Sequence, residues 1–180
     1  VVYTGATFAK IGAASLKLAT GDSAAVTTDP ATNSKALRVI KGTNESPTYL
    51  DVNLGSTEQA VKLSFDVRFQ NHSRFLRYFP QILDASGNGV VQSAVYINNL
   101  YWNAVGKNGK FMANNMRSAD NKDIYTSFEY IIDPVSGKAY SEIKSPSVDM
   151  RTKEYDINAS SVKTMRFYFE NAVSGGTNNS

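Results

Sequence analysis

The chain has 180 residues, a formal charge of +3, one histidine, no cysteine, a hydrophobic fraction of 42% and a mean hydropathy of −0.31. This is enough chain for one domain with its own core, and the composition is that of a folded protein rather than a disordered one. It excludes a disulfide framework, thiolate chemistry and cysteine-bound zinc, offers no apolar run of the ~18 residues a membrane helix needs, and lacks the Lys/Arg clusters of a nucleic-acid binder.

Taken in chain order, residues 13–19 read as a short helix or a strand, with nothing to choose between them. Period-two alternation then dominates and predicts strands at 36–40 and 48–54. In 62–69, Leu63, Phe65, Val67 and Phe69 alternate with Lys62, Ser64, Asp66 and Arg68, giving one apolar and one polar face. Further strands are predicted at 75–83, 90–97, 101–105, 125–132 and 139–143. In 162–169, Met165, Phe167 and Phe169 share a face, and Arg166 and Tyr168 share the opposite one. Turn-forming residues separate these runs: Asp84 to Gly89, Gly106 to Lys110, and Asp133 to Lys138 with its Pro134 and Gly137. Many short strands without helical periodicity predict an all-β fold, a two-sheet antiparallel β-sandwich of the jelly-roll kind. It is expected to fill residues 1–173, with 174–180 as a polar, glycine-bearing tail or linker.

Catalytic signatures are missing. His72 is the sole imidazole and falls in a polar stretch between strands, where an exposed loop histidine is the plain reading. No HExxH, phosphate-loop or dinucleotide fingerprint occurs. The strand carboxylates Asp66, Glu129, Glu142 and Glu170 are scattered singly, although two of them could still converge in space as glycoside hydrolysis requires. Arg74 and Arg77 ahead of Gln81-Ile82-Leu83 resemble the strand pattern of jelly-roll polysaccharide lyases. Leu83 stands where that family's catalytic histidine would be, which implies the architecture without the reaction.

Binding chemistry is better represented. Aromatic side chains pack on the apolar faces of sugar rings, and cations pair with uronate carboxylates. Arg74, Arg77 and Tyr78 in one strand, Tyr101 and Trp102 in another, and Lys107 and Lys110 just after it make a candidate ligand platform if those strands are neighbours. The alternative for Trp102 is a core position, and for the two lysines a solubilising hairpin tip. A structural calcium is conceivable in the loops, with Asp84 and Asn88 as first candidates and Asp120 with Asp123 as others. No other cofactor is expected.

Asn33-Ser34-Lys35-Ala36-Leu37-Arg38-Val39, Leu63-Ser64-Phe65-Asp66-Val67-Arg68, residues 125–133 and residues 165–170 together resemble the concanavalin-like or laminin-G-like jelly rolls appended to bacterial plant-cell-wall enzymes. Such modules are frequently fused to pectate lyases. The resemblance implies a secreted, non-catalytic carbohydrate-binding module. It would target a covalently linked catalytic module to a plant cell-wall polysaccharide, and the basic charge favours an acidic one such as pectin or homogalacturonan. No nucleic-acid or membrane partner is expected. The alternatives are a jelly-roll lyase or hydrolase, or a structural or adhesive surface domain.

Overall fold

The computed structural model describes residues 2–4, 8–11, 14–68, 76–96, 101–105, 111–115, 124–146, 148–151 and 154–171. Sixteen strands account for most of them. They are β1 (Val2–Thr4), β2 (Phe8–Ile11), β3 (Ala14–Lys17), β4 (Ser23–Thr28), β5 (Lys35–Ile40), β6 (Thr48–Thr57), β7 (Val61–Arg68) and β8 (Leu76–Leu83). The second half adds β9 (Gly89–Tyr96), β10 (Tyr101–Val105), β11 (Phe111–Asn115), β12 (Tyr125–Asp133), β13 (Lys138–Ser145), β14 (Val148–Arg151), β15 (Tyr155–Asp156) and β16 (Val162–Asn171). No helix occurs among the described residues.

The large sheet has eight strands in the order β11-β10-β9-β8-β16-β6-β3-β2. Facing it is a five-stranded sheet, β14-β13-β12-β7 with β15 paired to β13. All recorded pairings are antiparallel, and the expected two-sheet sandwich is present. A third, three-stranded sheet, β1-β4-β5, was not foreseen.

Alternation builds the core. On β7, Val61, Leu63, Phe65 and Val67 pack inward while Lys62, Ser64 and Asp66 are exposed. On β12, Phe128, Tyr130 and Ile132 are buried, and they meet Ile82, Val91 and Met165 of the large sheet. Phe65 stacks on Phe128 at 5.2 Å between centroids and meets Phe167 edge-on at 4.8 Å, so aromatic contacts join the two sheets. A second cluster sets Leu16, Leu18 and Leu50 against Ala24, Leu37 and Val39. Leu50 belongs to this cluster and Val52 to the first, and the two residues share one face of β6. The small sheet therefore covers one end of the face that the five-stranded sheet covers elsewhere.

Several expectations are refined. Residues 14–17 are a strand, because they pair with β6 and bury Leu16 there, a long-range contact that local propensity does not contain. Proline normally stays out of central strands. Pro80 nevertheless sits inside β8, buried and opposite Phe167, while the recorded β8–β9 pairing resumes at Gln81–Gln92. The turns form as the residues demand. Asp84 closes the β8–β9 loop with Gly87 at φ 84°, and Asp133 closes the β12–β13 loop with Gly137 at φ 67°. The 106–110 turn and the 174–180 tail lie outside the described residues.

Candidate functional site

The face of the large sheet turned away from the core carries a connected set of aromatic and charged side chains. Register decides which of them meet. Lys17 pairs with Tyr49, Tyr49 with Tyr168, and Tyr168 with Phe79, so one row crosses β3, β6, β16 and β8. The adjacent row is Ser15–Asp51–Arg166–Gln81 on the same four strands. Tyr49 and Tyr168 alternate with inward Leu50 and Phe167, which fixes their face.

The side chains hold one another. The Arg166 guanidinium makes two parallel hydrogen bonds to Asp51, Nε to Oδ1 at 2.7 Å and Nη2 to Oδ2 at 2.8 Å. Asp51 raises the guanidinium's already high pKa further, so it is charged at every working pH. Arg166 also lies over the Tyr49 ring at 5.0 Å, and the Lys17 ammonium lies over the same ring at 5.8 Å. The Tyr168 hydroxyl donates to Glu170 Oε2 at 2.6 Å. The result is a pair of half-buried tyrosines with a fixed edge-to-face geometry, bordered by an exposed lysine and an oriented arginine. Such a surface can stack an apolar ring face, while the Asp51 and Glu170 carboxylates on it offset the Arg166 and Lys17 charges.

The platform read from the sequence is distributed by strand register. Arg77 stands opposite Tyr96 and Glu170, and Tyr101 opposite Tyr96, so Arg77 and Tyr101 share the row next to Tyr168. Tyr78 and Trp102 both stand opposite Val95, in the row of Phe169, which packs against the core. The two strands that would have to be neighbours for that platform are not: β9 lies between β8 and β10. Arg74, Lys107, Lys110, His72, Asp120 and Asp123 lie outside the described residues. Asp84 Oδ1 accepts the backbone N–H groups of Ser86 and Asn88 at 2.8 Å each, and its Oδ2 accepts the Asn88 side-chain amide at 3.1 Å. Those donors, the Asn88 backbone first, hold the Asp84 carboxyl below its ordinary range. Both oxygens of the proposed metal ligand therefore serve the turn. Among the described residues, no group of three or more His, Asp or Glu is placed to hold a metal ion.

Sequence reasoning noticed Arg166 and Tyr168 facing away from Phe167 but not Lys17, Tyr49 or Asp51. The alternation of Tyr49 and Asp51 with Leu50 and Val52 was a usable signal. Lys17 fell in the segment whose structure local pattern left open.

The outer face of the five-stranded sheet has a different character. Ser64, Asp66, Ser127, Glu129, Glu142 and Lys144 line a depression of about 180 Å³. Glu129 and Glu142 stand directly opposite each other on β12 and β13. Lys62 reaches Glu129 at 2.7 Å and Lys144 reaches Glu142 at 2.5 Å, while Ser127 donates to Asp66 at 2.5 Å. The carboxylates that looked scattered along the chain do meet here, except Glu170, which belongs to the large sheet.

No protein family and no curated protein matches the sequence. Among solved structures, the chain is similar to part of a sialidase, with a TM-score of 0.54 and 11% identity, over 96% of this chain and 14% of that one. It is also similar to a Bacillus licheniformis β-glucanase (TM-score 0.44, 8% identity, 86% of this chain and 68% of that one) and to a Lotus tetragonolobus seed lectin (0.48, 11%, 94% and 90%). At 11% identity the likeness to the sialidase segment is one of fold alone. The chain is an antiparallel β-sandwich, and its chemistry has to be read from its own faces.

Proposed function

We propose that this chain is a non-catalytic carbohydrate-binding module that receives a polysaccharide across the outer face of the eight-stranded sheet. The observation that carries this reading is the row Lys17–Tyr49–Tyr168, with the Arg166–Asp51 pair alongside it. Four strands at the usual spacing give the full row a length of about 14 Å, the scale of an oligosaccharide rather than one sugar. Half-buried, braced tyrosines lose little side-chain freedom on binding. The exposed Lys17 at the end of the row and the chain's formal charge of +3 favour an acidic chain of the homogalacturonan type. A secreted setting and a linked catalytic module complete the reading.

Affinity electrophoresis on a panel of neutral and acidic polysaccharides tests it. Retardation by acidic polysaccharides, weakening as salt rises, is the expected result. No retardation on any polysaccharide would overturn it.

A second reading rests on the Glu129–Glu142 pair. Directly opposed strand positions put both carboxyl groups on one face as cross-strand neighbours, and glycoside hydrolysis uses two carboxyl groups flanking one bond. Release of reducing ends that disappears in Glu142→Gln would support a hydrolase and displace the non-catalytic reading. Unsaturated uronides absorbing in the ultraviolet would instead identify a lyase.

A further inference from the structure

Register sorts the cations of the large sheet into two kinds by what it sets opposite them. Arg166 stands opposite Asp51, and Arg77 opposite Glu170, so each of these arginines meets a carboxylate. At the β2–β3 end the pattern changes. Lys17 stands between Phe8 and Tyr49, and Lys10 stands opposite Ser15, in the row of Asp51 and Arg166. The residues directly opposite both lysines are uncharged. Positive charge therefore gathers at one end of the Lys17–Tyr49–Tyr168 row, while its middle is balanced by Asp51 and Glu170.

Arg166 is committed to its own neighbours. Its Nε and Nη2 donate to the two Asp51 oxygens at 2.7 and 2.8 Å, and its guanidinium rests on the Tyr49 ring at 5.0 Å. The planar fork is thus already matched to a carboxylate. A second carboxylate approaching Arg166 also meets Asp51, and that like charge opposes it.

Lys17 differs on each point. Its side chain is exposed, and its ammonium lies over the Tyr49 ring at 5.8 Å. A cation–π contact at an exposed site is weak. The flexible four-carbon stem lets the ammonium leave the ring for an anion, to which it presents three donors. Strands lie about 4.8 Å apart, so Lys17 is one strand from Tyr49 and two from Tyr168. A sugar resting against those rings has its substituents within the sweep of that stem.

We infer that Lys17 reads the carboxylate of a uronic-acid chain, with Lys10 adding positive charge at the same end, and that Arg166 positions Tyr49 without contacting that carboxylate. This rests on the binding reading above and assigns its acid preference to one side chain.

The test is isothermal titration of the whole chain with oligogalacturonate and with the same oligosaccharide as its methyl ester. The readout is the ratio of the two affinities. Wild type should prefer the acid by about tenfold, a preference that shrinks as salt rises. Lys17→Gln should bring the ratio to about one, and Lys17→Arg should keep most of it because the charge stays. Arg166→Gln should weaken acid and ester by the same factor and keep the ratio, as a positioning residue requires. Lys17 is exposed and its variants keep the wild-type fold, so they decide the assignment even if Arg166→Gln does not fold. A Lys17→Gln chain with the wild-type ratio overturns the assignment, and so does an Arg166→Gln chain whose ratio collapses. Wild type that binds acid and ester equally overturns the inference and leaves a neutral-sugar binder standing. Wild type that binds neither overturns the binding reading, and the inference falls with it.

Discussion

Tyr49 and Tyr168 occupy directly paired positions on β6 and β16, with ring centroids 5.0 Å apart and planes at 72°. That edge-to-face contact lets the negative face of one ring meet the positive edge of the other. With Arg166 and Lys17 over the Tyr49 ring as well, neither tyrosine can rotate without losing a neighbour.

Replacing Tyr49 with alanine removes the ring on which both Arg166 and Lys17 rest. Polysaccharide affinity should fall about tenfold, or ~1.4 kcal/mol. Tyr168→Phe keeps the ring and loses only the hydroxyl's bond to Glu170, so it should change affinity by less than about threefold. Isothermal titration with both variants checks the difference; equal losses would contradict stacking as the source of affinity.

The turn between β4 and β5 is fastened to the five-stranded sheet through Asp29. The Tyr125 hydroxyl donates to Asp29 Oδ2, Arg68 Nη2 lies 2.8 Å from the same oxygen, and Ala31 N–H donates to Oδ1 at 2.7 Å. The Tyr125 hydrogen bond, helped by Ala31 N–H and the Arg68 charge, holds the carboxyl below its ordinary range. A lowered folded-state pKa gives stability that is present above the unfolded value of about 4 and is lost as pH falls through the folded one. Urea midpoints followed from neutral to strongly acid pH should decline below about pH 4. In Asp29→Asn that part of the decline should be shallower, from a lower starting stability.

Tyr155 sets a limit at the alkaline end. It is buried, shares a hydrogen bond with Ser141 at 2.9 Å, and burial pushes its hydroxyl up to about 12. Below the unfolded value of about 10 its contribution is complete. Between about 10 and 12 the unfolded chain ionises while the folded one resists, so stability falls by roughly 2–3 kcal/mol. Tyr155→Phe should lose that segment of the pH profile while other tyrosines and lysines still titrate. Denaturation midpoints across alkaline pH in both proteins show it.

Asp22 and Lys41 form an ion pair at 3.0 Å, and the Gly42 N–H donates to Asp22 Oδ1 at 2.8 Å. Gly42→Ala tests the closure of this loop over Asp22 without altering charge. The added methyl would meet the Gly21 carbonyl at 2.8 Å, with the Gly21 carbon at 3.2 Å. These are backbone atoms that cannot swing aside, and the expected cost is about 1–3 kcal/mol. Unchanged thermal stability would show that the loop has slack the packing does not reveal.

Much of the sandwich was written in local pattern. Leu63, Phe65 and Val67 announced the inner face of β7, Met165 and Phe167 that of β16, and Asp84 and Asp133 marked turns that form with glycine at positive φ. Alternation is a property of neighbouring residues, so it survives without knowledge of the rest of the chain. The third sheet escaped notice. Ser23–Thr28 becomes β4 by pairing with β1 and β5, and it gains its inner packing by lying over Leu16 and Leu50.

The candidate surface was legible only in fragments. Arg166 and Tyr168 could be assigned to one face from the sequence because period two fixes the side on which a residue stands. It does not fix who stands beside it. Lys17, Tyr49 and Tyr168 meet because β16 enters the large sheet between β6 and β8, and Asp22 finds Lys41 because two strands fold back on each other. Strand alternation alone determined that this would be a β-sandwich with polar outer faces. Strand order and register, which depend on contacts more than a hundred residues apart such as Arg166 with Asp51, decided which aromatic rings and cations share a surface.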